Sequence, residues 1–494
     1  MNRRWSVAVL LVFAIAAAAC GSRGDDGDSA GADDDTPASE PTDTTAEPTD
    51  TTADDGGSDT TAAPTTDTAA AGGVDCSGPL EATEIGVTAD TIKVIVMADS
   101  DSPLAPGLFQ GAADGAIAWG EKVNANGGLA CRQVEVEFWD SKLNATETVN
   151  GFLRACESAV ALVGTTVLFG NDTTDLNSCP DQAGNPTGVP DVAYITTEPP
   201  HQCSTTSYHL SRPGASCPYD SGERDHVVSG GAVQWAVENG VGGPASGAFL
   251  VPNDLPSTIG ASVPQIEGHQ QLTDITYDFN FGISGRATQS EFAQYMQPLR
   301  DSGANFVYNG SNDQTMLKFR QEAEAQGLDT DAITWVCSLS CYTPGFLSEG
   351  GDAVEGTYVW TFFLPFDEAD TNDELATFMD AIGTDFPEAW AAGAWGDGVL
   401  FEQVVTAIAE RDGPNALTRQ AILDELATVT DFDVNGWWGA ANFETTLDIS
   451  PCFMVLQVQG GEFVRVHPEE RGTLDCESGN TVQVTVNPDT FVLD

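Results

Sequence analysis

From about residue 84 onward, apolar positions along the chain follow two alternating rhythms. "TIKVIVMA" (91–98) is a short continuous apolar run of the kind a buried strand makes. Phe109, Ala113, Ala116, Gly120 and Val123 then recur at three- and four-residue spacing, which predicts a helix, and "NANGG" (124–128) ends it with turn chemistry. "QVEVEFW" (133–139) alternates as a half-buried strand does; a helix is predicted through Thr146–Glu157, and "AVALVG" (159–164) and "DVAYIT" (191–196) are further strands. Strands alternating with helices predict a parallel sheet covered on both faces. A loop at about 197–225, rich in Cys, Pro, Gly and Ser, interrupts the rhythm. It resumes with a helix over Val227–Asn239, the strand "SGAFLVP", a helix over Ile259–Gly268 and the strand "DITYDFNF" (274–281). A helix over Ser290–Ser302, "NFVYNG" (305–310), a helix over Thr315–Gln326 and "AITWVC" (332–337) complete a second unit of the same kind. The expected fold class is α/β: two Rossmann-like lobes with parallel sheets, and a cleft between their strand carboxyl ends where ligands of such sheets sit.

The start of the chain breaks both rhythms. Asn2, Arg3 and Arg4 form a positive region, Trp5–Ala19 is apolar but short for a membrane span, and small residues precede Cys20. That order is a secretory signal, expected to be removed as residues 1–19. Cys20 directly after Ala17, Ala18 and Ala19 resembles the bacterial lipobox, which implies lipid attachment at Cys20; the alternative is an ordinary signal with a chance cysteine. Each acyl methylene contributes roughly 0.8 kcal/mol on burial, so two or three chains would anchor a soluble domain to a membrane. Residues 20–75 then repeat Asp, Thr, Ala, Pro and Gly, with almost nothing to build a core. Disorder is expected there, giving a tether with a root-mean-square reach of roughly 40 Å.

Charge narrows the partners. Of the formal net charge of −57, only fifteen acids and one arginine fall in residues 21–75, so most of it belongs to the folded part. Such a surface excludes nucleic acid as a partner. A solvated acidic exterior explains it, and a field that draws in cations is the sharper reading. Ten cysteines remain beside Cys20, an even set that in an exported chain reads as disulfides. Sequence leaves the connectivity open. Pairing near neighbours gives Cys156–Cys179, Cys203–Cys217, Cys337–Cys341 and Cys452–Cys476, which leaves Cys76–Cys131. His201, Cys203, His209, Cys217 and His226 crowd one stretch, but the close thiolate pairs of a zinc site are missing, and no metal or other cofactor is expected. Within Cys76–Asp494 there is no G-x-S-x-G, H-E-x-x-H or G-x-x-x-x-G-K-[ST], and no histidine has a triad context, so no enzyme activity is expected.

"SPLAPGLFQGAADGAIAWGEKVNANGGLACRQVEVEFWDSKLNATETV" resembles the start of type I periplasmic binding proteins, closest to the branched-chain amino-acid (Leu/Ile/Val) receptors of ABC importers. "AVALVGTT", "GANFVYNGSNDQTMLKFRQEAEAQGL", "DAVEGTYVW" and "FMVLQVQGGEFVRV" match later landmarks in order, so the resemblance runs from about Ile85 to Val466. It implies two lobes joined by a three-crossover hinge. The first lobe should hold 84–212 and 356–430, the second 222–355 and 436–467, with 468–494 a C-terminal extension. Ligand would bind between open lobes, closure would bury it, and the permease and ATPase subunits of the importer would be the partners. A receptor of the same fold that signals to a membrane partner is the alternative.

The resemblance also implies site residues. Phe109 falls where related receptors place an aromatic over the ligand side chain; otherwise it packs under its helix. Leu168 and Phe169 stand where hydroxyl residues usually meet a carboxylate. Thr197 and Glu198 occupy the loop after "DVAYIT", and Asn309 and Trp395 sit at edges facing the expected cleft. The loop after "AITWVC" lacks the acid that commonly pairs with an amino-acid ammonium, and Tyr342 is nearby. Burying an ammonium needs a partner, so these departures point to a small ligand with substantial apolar surface. Glu198 is the one acid placed to replace the missing partner. The Trp437–Trp438 pair is expected to pack at the third crossover.

Overall fold

The computed structural model describes residues 73–102, 105–211, 213–218 and 222–494. The expected signal segment, Cys20 and the linker before Gly73 lie outside the described residues.

The first sheet contains β1 (Thr91–Ala98), β2 (Gln133–Asp140), β3 (Ala161–Val167), β4 (Asp191–Thr196) and β5 (Ser207–His209), all parallel, in the order β2-β1-β3-β4-β5. Every residue of β3 is buried, as a strand covered on both faces requires. Alternate residues choose the face. Ile95, Met97 and Leu162 pack with Phe152 and Ala155 of α2 (Ala145–Ser158), while Val96 and Ala98 pack with Ala112, Ala113 and Ala116 of α1 (Gln110–Ala125).

The second half opens with β6 (Arg224–Ser229) and continues through β7 (Ala245–Pro252), β8 (Ile275–Ile283), β9 (Phe306–Asn309), β10 (Thr334–Cys337) and β11 (Tyr358–Thr361). The helices α3 (Pro256–Leu272), α4 (Ala293–Ser302) and α5 (Asp313–Ala325) alternate with these strands. With β12 (Met454–Gln459) and β13 (Glu462–His467) the sheet runs β8-β7-β9-β10-β11-β12-β13, and β12 is antiparallel to both neighbours. β11 therefore belongs to the second sheet, although residues from 356 were expected in the first lobe; the chain returns toward the first sheet only after Thr361. There α6 (Asp373–Ile382), α7 (Ala389–Asp412) and α8 (Arg419–Leu426) cover it, α7 lying on α1, β3 and β4. Close approach there demands glycine: a Cβ at Gly393 would fall 2.3 Å from the Tyr194 ring, and one at Gly398 2.4 Å from that of Trp119. The buried Arg419 guanidinium fastens α8 to the end of α2, donating to the carbonyls of Cys156 at 2.8 Å and Ala159 at 2.7 Å.

A helix over Val227–Asn239 is not what forms. Residues 224–229 are β6, and a short helix follows over Gly231–Ala236, widening into a π turn at Val237–Val241. Arg224, His226 and Val228 are buried while their neighbours are half-buried, the two-residue period of a strand. Its partner is β14 (Thr481–Val486), which pairs antiparallel with Val482 opposite Val228 and Val484 opposite His226. All five disulfides join the cysteines that near-neighbour pairing selects: Cys76–Cys131, Cys156–Cys179, Cys203–Cys217, Cys337–Cys341 and Cys452–Cys476.

The passages between the two halves are laced to one another. Leu364 N–H donates to the Trp437 carbonyl at 3.0 Å and Gly439 N–H to that of Phe362 at 2.9 Å. Thr446 Oγ1 donates to the Ala215 carbonyl at 2.5 Å, tying the third passage to the first. At Gly214 (φ 61°) the left-handed backbone and a Val227 carbonyl 2.3 Å from any added Cβ both exclude a side chain.

Candidate functional site

A cavity of about 440 Å³ lies where these passages meet the two halves. Thr197, Glu198, Pro199 and Gln202 enter it from the loop at the carboxyl end of β4, where ligands of open parallel sheets are held. From the second half come Tyr308 at the end of β9 and one face of α3: Pro256, Ser257, Gly260, Ala261, Pro264 and Gln265. β11 supplies Trp360, and the passages supply Leu210 and Ala215 of the first, Phe362 of the second, and Trp438 and Gly439 of the third. β6 adds Arg224, His226, Val227 and Val228, and the C-terminal segment closes one side with Pro488 and Asp489. The volume lies within the range of small-molecule sites.

Buried hydrogen bonds organise the first-lobe rim. Asp99 ends the core of β1 and is fully buried; its carboxylate accepts from Ser141 Oγ at 2.6 Å, Leu143 N–H at 2.9 Å and Leu168 N–H at 2.8 Å. Burial raises its pKa above the usual carboxylate range, against the pull of those donors. The Leu168 carbonyl in turn accepts from Thr197 Oγ1 at 3.0 Å. Loops after four different strands thus share one hydrogen-bonded chain, and Thr197 is held at the cavity edge with its hydroxyl already used.

The expected site residues separate into two sets. Thr197 and Glu198 line the cavity. Phe109 caps α1 and packs edge-on against Trp390, ring centroids 4.9 Å apart, and Leu168 packs against the same apolar cluster. Phe169, next to Leu168, is half-buried and outside the cavity wall. Asn309 is fully buried and folds back on its own turn, Nδ2 donating to the Asn312 carbonyl at 2.9 Å and Oδ1 accepting from Ser311 N–H at 3.1 Å. Its neighbour Tyr308 reaches the cavity instead, because adjacent strand residues face opposite sides. Tyr342 is buried among Phe363, Phe366, Phe386 and Phe463, its hydroxyl accepting from Phe366 N–H at 3.0 Å. Trp395 lies inside α7, fully buried, with Nε1–H on Glu374 Oε1 at 2.7 Å.

Three wall residues that the sequence did not single out as ligand contacts carry buried polar atoms with no hydrogen-bond partner: His226 Nε2, Ser257 Oγ and Trp438 Nε1. His226 is 8% exposed and Trp438 3%. Trp438 does pack at the third passage as expected, stacked 4.9 Å from Phe363, yet its N–H finds nothing in the protein. Burial pushes the His226 pKa down to about 4, with Arg224 adding to the effect, so its imidazole is neutral at pH 7. Arg224 Nε donates to the Ser216 carbonyl at 2.7 Å, and its side chain also reaches Cys203 Sγ at 3.2 Å. Cys203 and Cys217 are joined to each other and His201 Nε2 is 2.8 Å from Asp191, so those three of the side chains weighed as metal ligands are engaged elsewhere. Desolvated polar atoms without a partner cost stability.

A family profile described as periplasmic binding protein matches residues 91–462. The fold is similar to that of a fatty acid ABC transporter substrate-binding protein from Thermomonospora curvata (TM-score 0.60, 15% identity, 80% of this chain and 95% of that one). It is also similar to the branched-chain amino acid transporter substrate binding protein LivJ from Streptococcus pneumoniae in complex with isoleucine (TM-score 0.58, 15% identity, 77% of this chain and 100% of that one). The leucine binding protein LivK from Thermotoga maritima is a third such structure (TM-score 0.55, 15% identity, 81% and 100%). No curated protein matches the sequence. The profile spans both sheets and the passages between them, and this chain belongs to the periplasmic binding protein family.

Proposed function

We propose that this chain is an extracytoplasmic solute-binding lipoprotein that captures a small ligand between its lobes and delivers it to an ABC importer. The observation that carries this is the shared cavity: both halves and the passages between them contribute walls, so closing one lobe on the other changes every contact a bound solute makes. A ligand that touches both lobes selects the closed state in proportion to that difference. Similar folds are named for branched-chain amino acids and for fatty acids, and the ligand is a solute of that kind, small and amphipathic. Family membership supports a location outside the cytoplasm. Cys20 is the proposed lipid attachment, with residues 21–75 as tether. The receptor role is tested by a thermal-shift screen of the purified protein against amino acids, fatty acids, amides, polyamines and small acids, since a bound ligand raises stability by mass action. A hit should also contract the protein in small-angle scattering. The anchor is tested by Cys20→Ser, which should release the protein from membranes; a variant that stays bound rejects it.

A further inference from the structure

The five disulfides differ in what surrounds their sulfurs. Cys337 and Cys341 are both fully buried. Cys156–Cys179 packs into the apolar cluster of Ile95, Phe152 and Leu176; Arg419 Nη1 lies 3.0 Å from Cys179 Sγ, but Cys179 is buried and Cys156 half-buried. Cys76–Cys131 and Cys452–Cys476 each have one exposed residue, Cys76 and Cys476, and neither pair has an arginine or lysine donor on its sulfurs among the described residues. Cys203–Cys217 combines both properties. Cys217 is exposed, and Arg224 Nη2 lies 3.2 Å from Cys203 Sγ and 3.9 Å from Cys217 Sγ. The guanidinium is held in place, buried and with Nε donating to the Ser216 carbonyl at 2.7 Å.

A thiolate attacks the sulfur it can reach, and the bond breaks faster when the departing sulfur is a better leaving group. A neighbouring arginine stabilises a thiolate, whereas apolar surroundings disfavour one. Both effects point the same way at this bond: Cys217 is open to attack, and Cys203, the sulfur nearer the guanidinium, is where negative charge would develop. The bond also has a mechanical place. It links residues 14 apart, joining the loop after β4 to the first passage. Gln202 and Ala215, close to its two ends, line the cavity. Ser216 N–H donates to the Asp225 carbonyl at 2.9 Å and Val227 N–H to that of Gly214 at 2.7 Å. Those bonds hold the passage to β6 in the second half, and the disulfide holds it to the first.

We infer that Cys203–Cys217 is a redox site at which a dithiol reductant uncouples the first passage from the first lobe. One thiolate of the reductant attacks Cys217 Sγ, the Cys203–Cys217 bond breaks, and Cys203 leaves with the electron pair as a thiolate against Arg224. The second thiol of the reductant then displaces Cys217 from the mixed disulfide. The reductant is thereby oxidised to its own disulfide and the protein bond is reduced, one proton going to Cys217 and the other to water. An oxidised dithiol restores the bond by the same steps in reverse. The site stands independently of the receptor reading and of which solute the cavity takes.

The test is limiting dithiothreitol on the purified, oxidised full-length protein, quenched with iodoacetamide and followed by peptide mapping of the cysteines after Cys20. Cys203 and Cys217 should be labelled about tenfold faster than any other pair. Another pair that opens first, or at the same rate, overturns the assignment. With 2-mercaptoethanol, a monothiol, the trapped mixed disulfide should sit on Cys217 while Cys203 is alkylated; the reverse arrangement overturns the direction of attack. Arg224→Gln should slow the opening of this pair several-fold and leave Cys76–Cys131 unchanged, and Arg224→Lys should keep most of the parent rate. A folded Arg224→Gln variant that opens at the parent rate removes Arg224 from the site, and if that variant does not fold, the order of labelling in the parent decides. Hydrogen–deuterium exchange on the selectively reduced and alkylated protein should rise at residues 199–203 and 213–218. Unchanged exchange there overturns the uncoupling.

Discussion

Trp395, in the helix over the first sheet, and Trp438, in the third passage, are both buried tryptophans, and they differ in one atom's surroundings. The Trp395 indole, in α7, is satisfied: its Nε1–H goes to Glu374 Oε1 at 2.7 Å, and Glu374 Oε2 accepts from Asn435 at 2.8 Å. Around Trp438 the ring is packed as tightly, against Phe362, Phe363 and Tyr194, while Nε1 has no partner. Burial alone does not separate a structural aromatic from a binding one. The difference lies in the indole N–H, satisfied in Trp395 and without a partner in Trp438.

The strongest challenge to this distinction is Trp395→Ala. It should cost about 3–5 kcal/mol of stability, the range for truncating a large buried aromatic, seen in chemical denaturation, while ligand affinity of the remaining folded protein stays the same. Loss of affinity in folded protein would make the α7 region part of the site. Acid tests a second pair, His226 at the cavity and His269 in the core of the second lobe. Both are buried, which pushes their pKa values down to about 4 and about 3. An imidazole whose folded pKa lies below its unfolded value of about 6.5 stabilises fully above that value and loses the contribution as pH falls through the folded one. Stability should therefore decline from about pH 6.5 downward, by up to about 1.4 kcal/mol per pH unit for each histidine. His269→Gln, which gives up a 2.9 Å contact with the Tyr277 hydroxyl, should flatten that slope; an unchanged slope assigns the acid response to other groups.

Smaller effects sharpen the contrast. Trp438→Phe removes an N–H that bonds to nothing in the protein together with part of a buried ring, so stability should fall by about 1–2 kcal/mol, less than for Trp395→Ala. A loss as large as that of Trp395→Ala would mean that the N–H is satisfied within the protein after all. Glu198→Gln, at a half-buried position, should leave stability within about 0.5 kcal/mol. Leucine binding that this change abolishes would show that Glu198 has rebuilt an ammonium clamp.

Local pattern carried most of the architecture. "TIKVIVMA" and "DVAYIT" are strands where periodicity puts them, the helix carrying Ala113, Ala116 and Val123 forms, and near-neighbour pairing of cysteines matches the five disulfides. What failed depended on distant segments. "RDHVVS" forms a strand because Thr481–Val486 lies alongside it, and nothing within a local window announces that partner. The site was harder still. Asn309 and Tyr308 differ by one residue in a strand, so a one-residue slip exchanges cavity for core. Trp438 and His226 come to the cavity lining from segments far apart in sequence. Trp438 reads as packing and His226 as part of a cysteine-rich cluster, and only their shared lack of partners distinguishes them.

The ribbon of β6 and β14 also has a consequence for the order of assembly. Thr481 pairs with Ser229 and Val486 with Arg224, so a strand made midway through synthesis waits for one made near the end. Until that late segment arrives, β6 has an open edge, His226 is uncovered, and the wall formed by Pro488 and Asp489 is missing. Contacts this far apart in sequence are slow to form because loop-closure entropy must be overcome first. The first sheet, built largely from neighbouring segments, is free to form earlier. Binding competence is therefore the last property the chain acquires, and ribosome-bound or truncated chains lacking residues 481–489 would carry a formed first sheet and no finished receptor.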